Sequence, residues 1–394
     1  MKLFEKLGVP EEFIEQVSEI YDEFLRDLSQ ISQREINKNI FSEELIIGKY
    51  NINLKNKTYT IPILFNFIEV EEEMLREGKP VLVSAGKGSR TIPKFGDDNK
   101  IKMKSEPSDS IILIRVAFSN VPTSQDLIEI VKQDFTSDIL AHELKHLFDA
   151  ESRGEYNLEE IAFYNSVQIN KFPEFIQELF FLLYYTTHIE NSVRPSEMYQ
   201  KMKEEKISKK EFKDFFENHK VIKYLKKAKN FSLEDFIEKL KNDETMNQVI
   251  NEEDYQREFD EPYKDMLKVI LINLNQRYIE EFEKITPKLL IDLAVFTGDY
   301  SKEESLTKYL DEVLNKKNKE IRKPLNYFVK LEKLLNFVGD KMIKKLSKLY
   351  DMAQDQEDNE IFDWDLHTKI NTKNENIVTK FKDFITFSNN KQNQ

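Results

Sequence analysis

Ile139-Leu140-Ala141-His142-Glu143-Leu144-Lys145-His146-Leu147-Phe148-Asp149 is the stretch that decides how the rest of the chain is read. It contains an H-E-x-x-H pattern at 142–146, and that pattern carries chemistry only on a helix. Helical residues four apart lie one above the other, so both imidazoles can reach a single ion. With His142 at zero and about 100° per residue, His146 falls at about 40° and Asp149 at about −20°. Leu140, Leu144 and Leu147 fall at about 160°, 200° and 140°. The histidines and Asp149 thus share one face and the leucines cover the other, as in a helix with its back on a core and its polar face on a cleft. Glu143 projects beside the imidazoles, where a carboxylate can take a proton from a metal-bound water. The plainer alternative is a solvated helix with two surface histidines, which the apolar flanks disfavour.

Upstream, SIILIRVAF (110–118) is the most β-like run in the chain. Asn120, Pro122 and a capping-box pattern from Thr123 to Asp126 announce the motif helix. That helix spans 123–150 as one piece, or as two with a break near Thr136 and Ser137, and Gly154 is a stop signal. Earlier still, Phe13, Ile14, Val17, Ile20, Tyr21, Phe24, Leu25 and Leu28 follow Pro10 at spacings of three and four, predicting an amphipathic helix over 10–30. Ile52 and Leu54, then Tyr59, Ile61 and Ile63, alternate about Lys55-Asn56-Lys57 as a hairpin does, with Pro62 placing part of it at an edge. Residues 63–70 continue as strand or begin a helix through Glu77. A short strand is expected at Pro80–Ser84. The stretch 85–99 then reads as a surface loop or lid; Gly86-Lys87-Gly88-Ser89 fails the phosphate-loop pattern because Val81 and Gly88 stand where glycine and a hydroxyl residue are required.

Downstream, helices are expected over 158–170 and 173–194. Past about 200 the chain turns to lysine- and glutamate-rich helices with stripes such as Phe212, Phe215 and Phe216, Phe236 and Leu240, and Met266, Ile270 and Leu274, with further patterns at 288–298, 305–315 and 325–351. The stretch from about 352 is polar, with a helix expected at 376–387 and a disordered tail at 389–394. The fold class is therefore α+β and predominantly helical: a small antiparallel sheet packed on the motif helix, then a helical C-terminal region. The expected division is 1–200, holding the N-terminal helix, a sheet over 45–118, the motif helix and a third-ligand helix at 173–194, followed by 201–394.

Composition narrows the function classes. A net charge of −13 over 394 residues disfavours general nucleic-acid binding through phosphate neutralisation. With no cysteine, any zinc must be held by His, Asp or Glu. The charged N-terminus does not read as a signal peptide, and the closest approach to a membrane span, Phe175 to Tyr185, is too short and carries Glu178. The expectation is a cytoplasmic location, of the producing cell or a host, with virion association as a variant.

The pattern His142-Glu143-Leu144-Lys145-His146 resembles the zincin metallopeptidases. That resemblance implies an antiparallel sheet before the motif helix, with an edge strand that binds extended substrate; 110–118 is the candidate. The metzincin branch would need glycine at 149 and histidine at 152, where this chain has Asp149 and Ser152. The gluzincin branch takes its third ligand from a downstream helix, and YYTTHIENSVRPSE offers His188, Glu190 and Glu197. With Glu190 at zero, Arg194 sits at about 40°, Glu197 at about −20° and His188 at about 160°, so His188 and Glu190 cannot both face one ion. Glu190 is the preferred ligand, with His188, Asp149 and Glu197 as alternatives; its bland reading is a carboxylate paired with Arg194. Asp149 suits a carboxylate that orients an imidazole. Pro195 is expected to kink or end this helix. Tyr164, Tyr184, Tyr185, Arg194 and His188 are candidate oxyanion donors, while His219 and His367 read as surface histidines.

The resemblance implies a zinc peptidase in which His142, His146 and Glu190 hold Zn²⁺, Glu143 acts as general base, and a peptide or protein substrate pairs with strand 111–117. The C-terminal helices would shape the cleft or bind a protein partner; no membrane partner is expected. Two other classes stay open: a structural or interaction protein, for example virion-associated, on a zincin-like fold with little or no catalysis, and a metal hydrolase of non-peptide substrates.

Overall fold

Phe13, Ile14, Val17, Ile20, Tyr21, Phe24 and Leu28 are all buried along one face of α1 (Glu11–Gln30), as their spacing requires. The structure is a computed structural model and describes residues 11–40, 44–54, 57–72, 75, 81–95, 101–153, 156–166, 172–246, 262–298 and 303–353. Pro10, Gly154, His367, residues 96–99, the 376–387 helix and the 389–394 tail lie outside them. After α2 (Gln33–Asn39), the expected hairpin forms from β1 (Glu44–Leu54) and β2 (Lys57–Glu69), which pair antiparallel with Leu54 opposite Lys57. Strands β3 (Val81–Phe95) and β4 (Ile101–Phe118) complete the order β1-β2-β4-β3, and the two-residue β5 (Tyr156–Asn157) pairs with β4.

This sheet corrects three expectations. It is mixed rather than antiparallel, because Ile63–Glu69 of β2 run parallel to Ile112–Phe118 of β4. Strand 110–118 is not an edge: β4 has β2 on one side and β3 on the other. A nearly continuous apolar run marks an interior strand rather than an exposed one, and the run was a sign of that. The expected loop at 85–99 is instead strand as far as Phe95, with Gly86 opposite Leu113 and a register shift between Ser89 and Thr91. Pro62 is tolerated because it pairs with Lys49 of β1, and the parallel ladder with β4 begins only at Ile63.

The helices follow as α3 (Ser124–Asp134), α4 (Ser137–Arg153), α5 (Leu158–Ser166), α6 (Glu174–Thr186) and α7 (His188–Glu204). The capping box at Thr123 and Asp126 is present, and the break between α3 and α4 falls at Phe135–Thr136. The single helix expected over 173–194 is two, divided at Thr187. Pro195, expected to kink or end its helix, does not end it: α7 runs on through it to Glu204. The remaining elements are α8 (Phe212–Asn218), α9 (Lys220–Lys229), α10 (Leu233–Asn242), α11 (Pro262–Thr297), α12 (Glu303–Ile321), α13 (Pro324–Leu346) and a 3₁₀ turn at Ser347–Met352.

One apolar cluster joins α1, the sheet and α4 to Phe212, Phe216, Ile222 and Leu225 and to Val338, Met342 and Leu346. The expected boundary at 200 falls inside α7, and this cluster draws on both sides of it. A second cluster lies among α6, α9, α10, α11 and α13, and a third packs Ile101 and Met103 of β4 against α5, α11 and α12. Where α13 crosses α9, a Cβ on Gly339 would sit 2.6 Å from the backbone nitrogen of Lys229, so glycine sets how closely the two helices approach. Among the described residues, no helix is long and apolar enough to cross a membrane.

Candidate metal centre

The leucines of α4 do what the wheel assigns them. Leu140, Leu144 and Leu147 are buried in the cluster shared with α1 and the sheet. The opposite face is also covered: α7 packs along α4, and His142, His146 and Asp149 are all buried. Between Leu140 and Asp149 only Glu143 keeps partial exposure. Over Leu140–Asp149 the helix is therefore covered on all sides except at Glu143.

His142 and His146 turn their Nε2 atoms toward each other at 3.0 Å. Glu190 of α7 completes the group: its Oε1 is 3.2 Å from His146 Nε2 and its Oε2 is 3.4 Å from His142 Nε2. Glu190 is fully buried. Donor atoms about 2.0–2.1 Å from a common centre in tetrahedral array stand about 3.3 Å apart, which is the scale of this triangle. Two imidazole nitrogens and a carboxylate meeting at these distances, out of water, form a set that can hold a metal ion.

The surrounding groups fix that set. Glu197 Oε2 lies 2.9 Å from His142 Nδ1. A carboxylate only accepts, so Nδ1 carries the proton and Nε2 is left with the lone pair that faces inward. The Arg194 Nη1 contact to the same Nδ1, at 3.3 Å, is then proximity rather than a hydrogen bond. Arg194 donates to Glu190 and to Glu197, and its guanidinium lies 4.6 Å from the centre of the Tyr185 ring. Burial pushes the Glu197 carboxyl up, but Arg194 and His142 outweigh it and hold the group at about 2. Glu190 is likewise held well below the usual carboxylate range, with burial opposing and Arg194 and His142 prevailing.

The start of α7 explains how Glu190 reaches the histidines. Thr187 is the N-cap and its hydroxyl accepts from the Glu190 backbone N–H at 3.4 Å. Thr187-x-x-Glu190 is a capping-box pattern, in which the glutamate would normally fold back on the cap. Here the Glu190 side chain faces the imidazoles, and Glu160 of α5 supplies the carboxylate at the helix start by accepting from Ile189 N–H at 3.2 Å. Burial raises the Glu160 carboxyl to about 7, although its backbone hydrogen bonds to Ile189 and His188 oppose that.

The other candidates sort as follows. His188 is the first residue of α7 and is not in the His142-His146-Glu190 group. Asp149 ion-pairs with Lys145 one turn back, and the carboxylate on His142 Nδ1 is Glu197. His219 is buried rather than superficial: it caps α9, accepting from Val221 N–H at 3.3 Å, and burial lowers its pKa. Tyr164 and Tyr184 stand together with ring centres 5.3 Å apart. Burial, then the charges of Glu190 and Glu143, raise the Tyr164 phenol far above its ordinary value. The orienting role of Glu197 and the capping role of Glu160 were missed from sequence; the Thr187-x-x-Glu190 spacing was the available signal for where α7 begins. No protein-family model, curated protein or solved structure matches the chain.

Proposed function

We propose that the chain is a zinc-dependent metallopeptidase of gluzincin type, with His142, His146 and Glu190 as the zinc ligands and Glu143 as general base. The observation that carries this reading is the buried convergence of two Nε2 atoms and the Glu190 carboxylate beside the one partly exposed residue of the motif. The donor set, nitrogen and oxygen without sulfur, suits zinc, and three protein ligands are the number found at catalytic zinc sites. A bound zinc ion supplies a Lewis acid that polarises a carbonyl and makes water a nucleophile at neutral pH.

The chain's own residues supply the rest. Glu143 accepts the proton of the attacking water at its carboxylate and passes it to the leaving amine. Tyr164, whose phenol is kept protonated by burial and by the nearby Glu190 and Glu143 charges, donates to the oxyanion of the substrate carbonyl. Glu197 holds the His142 ring. Since β4 is interior, backbone pairing with an extended peptide falls to β3, which among the described residues has a strand neighbour on one side only and also contacts α4.

Glu143→Gln separates chemistry from metal binding. It should keep stoichiometric zinc by elemental analysis while cleavage of a peptide library falls about 10²–10⁴-fold. Retained cleavage in this variant contradicts the assignment of the base. Wild-type protein that holds zinc but cleaves no peptide favours a binding or structural role for the same fold.

A further inference from the structure

A His-His-carboxylate set needs one carboxylate, yet α7 sets two around a single guanidinium, Glu190 fully buried and Glu197 partly so. Glu190 and Glu197 are two turns apart, and Arg194 lies between them. It donates to Glu190 Oε2 through Nη2 and to Glu197 Oε2 through Nη1, the second at 2.5 Å. Arg194 is itself buried, and its guanidinium lies over Tyr185, whose ring stacks on Tyr224 with centres 4.5 Å apart. A planar fork resting on an aromatic ring has little rotamer freedom left.

The fork treats the two oxygens of Glu190 differently. Oε2 is taken by Arg194. Oε1 is buried without a hydrogen-bond partner among the described residues, and it faces His146 Nε2 at 3.2 Å. The second arm of the fork holds Glu197 Oε2, the same atom that lies 2.9 Å from His142 Nδ1. One side chain therefore governs the approach of one ligand and the ring orientation of another.

We propose that Arg194 is a positioning residue that makes Glu190 a one-oxygen metal ligand through Oε1 and locks the His142 ring through Glu197. This rests on the metal-centre reading above. A carboxylate free to bind through both oxygens would add a donor and raise the coordination number. Arg194 also offsets the charges of Glu190 and Glu197 when no ion is bound, so α4 and α7 stay docked in the metal-free protein.

The test uses full-length protein loaded with Co²⁺, whose visible absorption is much stronger in four-coordinate than in five- or six-coordinate sites. Arg194→Lys keeps the charge and loses the fork. It should weaken zinc binding about 10–100-fold in competition with a chromogenic chelator and reduce the cobalt bands. Arg194→Met should lower the melting temperature of the metal-free protein more than that of the zinc-loaded protein. Arg194→Lys with the wild-type cobalt spectrum and a zinc affinity within about threefold of wild type overturns the role of Arg194 while leaving the metal centre intact. If Arg194→Met does not fold, Arg194→Lys decides alone. Wild-type protein that takes up neither zinc nor cobalt overturns the metal centre and this inference together.

Discussion

Helices α7 and α13 each bury a long face, and the two faces are built on opposite principles. The buried face of α13 is Phe328, Leu331, Leu335, Val338, Gly339, Met342 and Leu346, without a polar side chain. The buried face of α7 includes Glu190, Asn191, Ser192, Arg194, Ser196 and Gln200. Burying a charge is costly unless it is paired and hydrogen-bonded, so a helix selected for stability alone looks like α13. In α7 specific partners offset part of the cost: Asn191 donates to the Thr186 carbonyl at 3.0 Å, Gln200 to the hydroxyls of Ser18 and Ser137 at 3.0 Å, and Arg194 to both glutamates. The difference teaches where to look for function, because only the polar helix is arranged around something other than its own packing.

Substitutions in the two helices should separate along that line. The largest effect is expected for Glu190→Ala, which removes one of the three proposed ligands: the purified protein should carry no stoichiometric metal after dialysis, measured by elemental analysis. Undiminished metal would contradict Glu190 as the third ligand. In α13, Leu335→Ala should cost about 2–5 kcal/mol in urea unfolding, from lost transfer energy and the cavity left behind. Metal content per folded molecule should not change; a loss of metal there would mean that the two helices are not independent.

The smallest expected effect is a pH dependence at the start of α7. The Glu160 carboxyl stands at about 7 in the folded chain against an ordinary 4.5. A raised folded value means that the folded state binds the proton more tightly, so this group's contribution is full below about pH 4.5 and is lost as pH rises through about 7. The melting temperature of wild type relative to Glu160→Gln should therefore fall between pH 5 and pH 7. A difference that is flat, or that rises, over that interval contradicts the burial of Glu160 as the dominant influence on it.

The same contrast explains what could be read from sequence. The apolar period of 325–351 gave α13 directly, with only the 3₁₀ turn at Ser347–Met352 unforeseen. His142, His146 and the leucines behind them were legible because a ligand pair at i and i+4 is a local pattern. Glu190 was reachable through the wheel and the family resemblance, and the same wheel put Arg194 and Glu197 beside it. The break at Thr187 was hidden because the apolar run Leu179–Tyr185 leads into it and Ile189 and Val193 resume the helical spacing beyond it, so the threonines looked like interior residues of one helix. The nearly continuous apolar run of β4 was a sign of an interior strand, but nothing within one strand says which strands are its neighbours. Glu160 acts across 29 positions of sequence, and no spacing rule reaches that far.

X-ray absorption at the zinc edge on the purified full-length protein tests the central claim most directly. The account predicts one zinc per chain, with two imidazole nitrogens and one carboxylate oxygen at about 2.0–2.1 Å, and loss of that signal in His146→Ala. Protein without stoichiometric metal, or a signal unchanged in His146→Ala, would contradict it.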